Sequence, residues 1–82
     1  MRIVYCGRLQ DAAGMRWRDV ELPAEVTTAH AVRDWLTQND PALRSALMDS
    51  SVRIVVNDEL VLDDRPVAPG DEIAFMPPVS GG

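Results

Sequence analysis

The sequence predicts a small α+β domain, and three observations carry that prediction. Short runs rich in β-branched and aromatic residues recur five times, punctuated by glycine, proline and aspartate. One amphipathic helical stretch stands between the second and third runs. The last run, Ile73-Ala74-Phe75-Met76, passes directly into Pro77-Pro78-Val79-Ser80-Gly81-Gly82. At 82 residues this is one domain. A chain of this size buries only ~60% of its unfolded surface, so its core positions have little slack.

Residues 2–6 alternate, with Ile3 and Tyr5 on one face and Val4 and Cys6 on the other. Residues 7–14 interrupt the strand, and Leu9, Ala12 and Ala13 fit one helical turn. Residues 16–22 read as a second strand with Val20 and Leu22 toward the core. Trp17 has the opposite parity, which requires a bulge or an outward-facing ring. The flanking Arg16 and Arg18 raise a nucleic-acid stacking motif as an alternative, but edge-strand packing is the expected role.

Thr27 or Thr28 is placed to cap a helix running to about Gln38, with an apolar stripe at Ala29, Val32, Trp35 and Leu36. His30, Arg33 and Asp34 fall on its polar side, and a lone surface histidine is expected to ligate nothing. Asp40 then caps a short second helix with Pro41 at its first position and Leu43 and Leu47 inward. Residues 52–57 form the clearest β run, and Asn57-Asp58 turns the chain into a short strand around Leu60-Val61-Leu62. Residues 63–66 are loop, and Ala68-Pro69-Gly70-Asp71 predicts a type II turn. The closing strand, residues 72–77, sets Ile73 and Phe75 against Ala74 and Met76. The domain is expected to span residues 1–77, with residues 78–82 as an extended C-terminal tail.

Composition excludes several function classes. The net charge of −5 opposes a nucleic-acid partner, whose phosphates would repel most of the surface. No apolar run approaches the ~20 residues that cross a bilayer, so no membrane partner is expected. The opening residues lack a signal-peptide plan, and the single cysteine, Cys6, forms no intramolecular disulfide; a cytoplasmic location is expected. All eight basic residues are arginine, so no side-chain amine of this chain can accept an acyl group.

The chemistry of an enzyme is hard to find in these residues. The only histidine sits on a polar helix face, the only cysteine lies in a strand, and no glycine-rich phosphate loop precedes a helix. Asp58-Glu59 and Asp63-Asp64 lie in turns and read as solvated surface. What remains is the α-carboxylate of Gly82. Pro77 and Pro78 cannot extend a sheet ladder and favour an extended backbone pointing away from the body. Gly81 and Gly82 keep the tip narrow, which suits a thread entering a partner's channel. A loose, frayed terminus is the competing reading of the same six residues. A carboxylate is a poor electrophile until activated, and attack on the α-phosphate of ATP would give an acyl-adenylate with a good leaving group. A sulfur nucleophile would then give a thiocarboxylate, and an amine would give an amide.

Val56-Asn57, the run Gly70-Asp71-Glu72-Ile73-Ala74-Phe75 and the block Pro77-Pro78-Val79-Ser80-Gly81-Gly82 resemble the small, sulfur-carrying subunit of molybdopterin synthase. The resemblance covers the whole chain in length and element order, and the terminal block is its specific part. It implies a ubiquitin-like β-grasp fold: a mixed sheet of about five strands, one main helix on one face and an extended tail. It implies that an adenylating enzyme uses ATP and magnesium to activate Gly82, and that a sulfur donor converts it to a thiocarboxylate. The tail then enters the large subunit and gives sulfur to cyclic pyranopterin monophosphate, with no cofactor bound by this chain. Carried over by residue, Gly82 bears the sulfur, Gly81 gives it access, and Pro77, Pro78, Val79 and Ser80 form the inserted segment. Leu60 and Met76 fall at positions that meet the large subunit, with Met76 where an aromatic residue is frequent. A carrier serving thiamine or cysteine synthesis, a ubiquitin-like modifier of lysines and a pure interaction module are the alternatives.

Overall fold

A computed structural model describes residues 1–78. The elements are β1 (Arg2–Tyr5), α1 (Leu9–Ala13), β2 (Trp17–Asp19), α2 (Ala29–Thr37), α3 (Pro41–Leu47), β3 (Arg53–Val56), β4 (Glu59–Val61) and β5 (Glu72–Met76). The strands form one sheet in the order β2-β1-β5-β3-β4. β1 and β5 pair in parallel at its centre, and every other neighbouring pair is antiparallel. A parallel pair needs a long crossover, and here the whole chain between the two strands supplies it.

Period-2 alternation makes one face of this sheet the core. Ile3, Tyr5, Ile54, Val56, Ile73 and Phe75 are all buried, and the Tyr5 and Phe75 rings stack with centroids 6.2 Å apart. Ala29, Val32 and Leu36 of α2 join this cluster, as do Leu43 and Leu47 of α3 and Leu9 of α1. Trp35 is only half-buried and packs at its margin. Thr37 is buried as well, which its polar class does not suggest; its hydroxyl donates to the Arg33 carbonyl at 2.9 Å, so the buried group is satisfied.

The two helix caps follow the sequence. Thr28 Oγ1 accepts the Ala31 N–H at 3.2 Å, and Asp40 Oδ1 accepts that of Leu43 at 3.1 Å, with Pro41 beginning α3. A second cap on α2 comes from far along the chain: Asp64 Oδ1 accepts the His30 N–H at 2.9 Å. His30 is half-exposed, with its Nδ1 3.7 Å from the same carboxylate.

Several expected boundaries and one turn are corrected. β2 is shorter than residues 16–22: it runs over Trp17–Asp19, and pairing with β1 stops at Val20, which exchanges hydrogen bonds of 2.9 and 3.0 Å with the first residue, Met1. β4 starts at Glu59 and leaves Leu62 outside, 80% exposed. β5 ends at Met76, one residue before the expected limit, because Pro77 brings no N–H to the ladder. No bulge is needed at Trp17, since the β1–β2 register is unbroken and the ring faces outward. The turn at residues 68–71 closes with the Asp71 N–H on the Ala68 carbonyl at 3.0 Å, but Gly70 has no positive φ, so it is not type II. Asp71 fastens this turn from its last residue, its carboxylate accepting the Ala68 N–H at 2.8 Å and the Asn57 amide at 2.9 Å. Those bonds hold the Asp71 carboxyl below the usual carboxylate range, with the Ala68 N–H the larger cause. The hairpin at Asn57 and Asp58 does take positive φ at both positions, +49° and +67°, the conformation that twists two antiparallel strands correctly.

Candidate functional site

The face of the sheet away from the helices is built by the strand register. Trp17 lies opposite Val4, Val4 beside Ala74, Ala74 opposite Val55, and Val55 opposite Leu60. Directly opposed residues point the same way, so these five form one apolar row crossing all five strands. Met76 adds to it two residues along β5, where it faces Arg53, and Cys6 follows two residues beyond Val4. Trp17, Leu60 and Met76 are 52%, 55% and 42% exposed.

One border of the row is polar. Arg2 lies opposite both Asp19 and Glu72, and its guanidinium carbon sits 4.2 Å from the Trp17 ring centroid while its Nε reaches Asp19 at 3.3 Å. Asn57 pins the same border, accepting the Glu72 N–H at 3.0 Å. Arginine stacking covers one side of the indole and leaves the rest open, an arrangement suited to an interface anchor. An apolar strip with charged margins on a small domain makes this face the candidate protein-binding surface.

The opposite border is where the chain leaves. β5 is central, so Pro77 emerges between the end of β1 and the start of β3, at the rim of the apolar row. Pro77 and Pro78 are both half-buried. The structure thus brings together Leu60, Met76, Pro77 and Pro78 on one face and its rim. Val79, Ser80, Gly81 and Gly82 lie outside the described residues. Sequence reading missed the part of Trp17 in this face; its parity allowed an outward ring, but only the register with Val4 sets it in line with Leu60. Among the described residues, no group of three histidine, cysteine or carboxylate side chains is placed to hold a metal ion. Among the same residues, no helix is long and apolar enough to cross a membrane.

A five-stranded mixed sheet grasping one principal helix, with an apolar open face and a chain end leaving its centre, defines a ubiquitin-like β-grasp protein. Solved structures agree: the chain is similar to the modifier protein SAMP1 of Haloferax volcanii, with a TM-score of 0.78 and 31% identity, covering 100% of this chain and 98% of that one. The chain belongs to the ThiS family, which it matches over residues 3–82. It is 39% identical over 82 residues to the Escherichia coli K12 molybdopterin synthase sulfur carrier subunit, covering 100% of this chain and 99% of the relative. It is also 38% identical over 63 residues to the subunit of the same name from Haemophilus influenzae, covering 77% of this chain and 78% of that one.

Proposed function

We propose that this chain is the sulfur-carrying subunit of a molybdopterin synthase and works in the cytoplasm. Its likeness along the whole chain to relatives of that name supports the assignment. The apolar row from Trp17 to Leu60, lying beside the point where the chain leaves β5, is the structural observation that carries it. A carrier must dock by a surface while presenting its end group elsewhere, and this layout separates the two tasks.

In the proposed cycle, one carboxylate oxygen of Gly82 attacks the α-phosphorus of ATP in an adenylating enzyme, and pyrophosphate leaves. A sulfur nucleophile delivered by a donor protein then attacks the acyl carbon, and AMP departs. The thiocarboxylate sulfur attacks a carbon of cyclic pyranopterin monophosphate in the large subunit and displaces an oxygen substituent, which leaves with its bonding pair; water then hydrolyses the resulting thioester, leaving the sulfur on the pterin and the original carboxylate on Gly82. One chain end carries one sulfur, so a product that holds two sulfurs takes two deliveries. This chain binds no cofactor of its own in the scheme; ATP and magnesium belong to the activating enzyme.

Intact-mass measurement tests the first half. After incubation with ATP, magnesium, a matching adenylating enzyme and a sulfur source, the mass should rise by the difference between sulfur and oxygen. An unchanged mass with an enzyme shown to be active on another carrier would reject the proposal. The likeness to proteins named small archaeal modifier protein 1 favours a second reading, in which the activated end acylates lysines of other proteins. A ladder of heavier species in extract, carrying a tag at the N-terminus of this chain, would select that reading over the first.

A further inference from the structure

The β1–β5 pairing continues one residue past Tyr5, where the Cys6 N–H donates to the Phe75 carbonyl at 3.0 Å. That step sets Gly7 against Pro77, the first residue beyond β5. Gly7 has φ +54°, and a Cβ built there would lie 3.0 Å from Pro77 Cγ and 3.7 Å from Cδ. Carbon atoms in good contact sit about 3.5–4.0 Å apart, so a side chain at Gly7 must push the proline ring aside. Gly7 itself has little room to retreat. Its carbonyl accepts the Gln10 N–H at 3.1 Å and the Cys6 carbonyl accepts that of Leu9 at 3.1 Å, tying the loop to the start of α1.

We infer that Gly7 is a positioning residue for the C-terminal segment, setting the direction in which the chain leaves the sheet through its contact with the Pro77 ring. The inference rests on the reading above, in which that segment delivers sulfur. A proline ring makes an effective pointer because its φ is locked, so moving the ring turns the backbone that follows. Five further residues, extended in a partner's channel, span roughly 16–18 Å. A tilt of about 5° at Pro77 would displace the far end of that span by about 1.5 Å, and misplacement by ~1 Å is enough to cost a reaction up to 10²-fold.

The protein supplies its own control. Gly14 has a similar left-handed backbone, φ +74°, but a Cβ there would meet nothing within 4 Å. Asparagine tolerates this conformation better than other side chains, so Gly7→Asn and Gly14→Asn carry comparable backbone strain. Only the first touches the exit of the chain. Two readouts are taken on each full-length variant. Residual dipolar couplings at the Cα–Hα bonds of Met76, Pro77 and Pro78 report direction, and turnover of the thiocarboxylate form with the large subunit reports delivery. Gly7→Asn should reorient Pro77 and Pro78 and lower kcat ten- to hundredfold, with KM for the carrier within about threefold of wild type. Gly14→Asn should match wild type in both. Equal behaviour of the two variants, whether both normal or both impaired, would overturn the inference. Should Gly7→Asn fail to fold, Gly7→Ala is compared with Gly14→Ala in the same way. If the wild-type thiocarboxylate gives no sulfur to an active large subunit, the functional reading fails, and the couplings alone decide whether Gly7 aims the chain.

Discussion

Met76 is the residue at which the proposed docking separates most cleanly from folding. It is 42% exposed and lies directly opposite Arg53 on β3. Replacement by glutamate sets a carboxylate across the ladder from that arginine, an opposite-charge pair worth about 0.2–1 kcal/mol. Fully burying a methionine is worth about 1.5–3 kcal/mol, so its already covered part accounts for about 1–1.7 kcal/mol of folding. With the pair offsetting some of that, Met76→Glu should cost the fold only about 1 kcal/mol. In the complex a partner loses the remaining apolar gain, about 0.6–1.3 kcal/mol. It must also desolvate a charge, which adds about 1–3 kcal/mol. A total near 2–4 kcal/mol corresponds to affinity for the large subunit weaker by roughly 30- to 700-fold. Titration calorimetry and thermal unfolding on one preparation measure both sides. Met76→Arg completes the test: it places like charges opposite each other and should destabilise the fold further, with a similar loss of binding. Affinity within threefold of wild type for a folded Met76→Glu would show that this face does not dock.

Two other predictions concern titration. The hydrogen bonds to Asp71 lower its carboxyl below the usual value, so their stabilisation is present above that value and is lost as the pH falls through the depressed one. Wild type should therefore unfold at a higher temperature than Asp71→Ala near neutrality, with the gap closing only below about pH 4; a gap independent of pH would refute this. Burial is the main cause raising the Tyr5 hydroxyl above its usual value; Asp40 adds to the rise and Arg18 opposes it. The proton kept there supports the fold fully below the unfolded value of about 10, and that support is lost as the pH rises through the raised one. Arg18 stands near the buried hydroxyl but outside good hydrogen-bond geometry, which leaves it without a well-formed partner among the described residues, so Tyr5→Phe should be neutral or stabilising by about 1 kcal/mol near neutrality and should resist alkali better than wild type. A loss of stability in Tyr5→Phe measured by denaturant titration would contradict that.

The sequence makes the faces of the sheet legible because side chains alternate with a period of two. Ile73 and Phe75 against Ala74 and Met76 already divide the core face from the open face, and the same parity places Val4 and Val55. Caps were equally readable, since Thr28 and Asp40 act on backbone groups three residues away. Features settled by distant residues were not. Pro69-Gly70 fits two kinds of turn, and the bonds that fasten Asp71 to Ala68 and to the distant Asn57 are not visible in that dipeptide. Thr37 looks polar until the bond to Arg33 is seen. Gly7 looks like a simple strand break; that it faces Pro77, seventy positions on, follows from the parallel register of β1 and β5.

That central β5 also constrains synthesis on the ribosome. Before residues 72–76 emerge, the chain owns only two separate hairpin pairs, β1 with β2 and β3 with β4, and isolated hairpins are marginal in water. The Tyr5–Phe75 stack and the burial of Ile3 beside Ile73 both wait for the same late segment. Closing so long a loop is slow relative to local structure. A translation product cut short before β5 would lack the assembled core, and a protease would meet it unfolded. Completion of the core and of the apolar row therefore comes in one late step, when Ala74 joins Val4 to Val55.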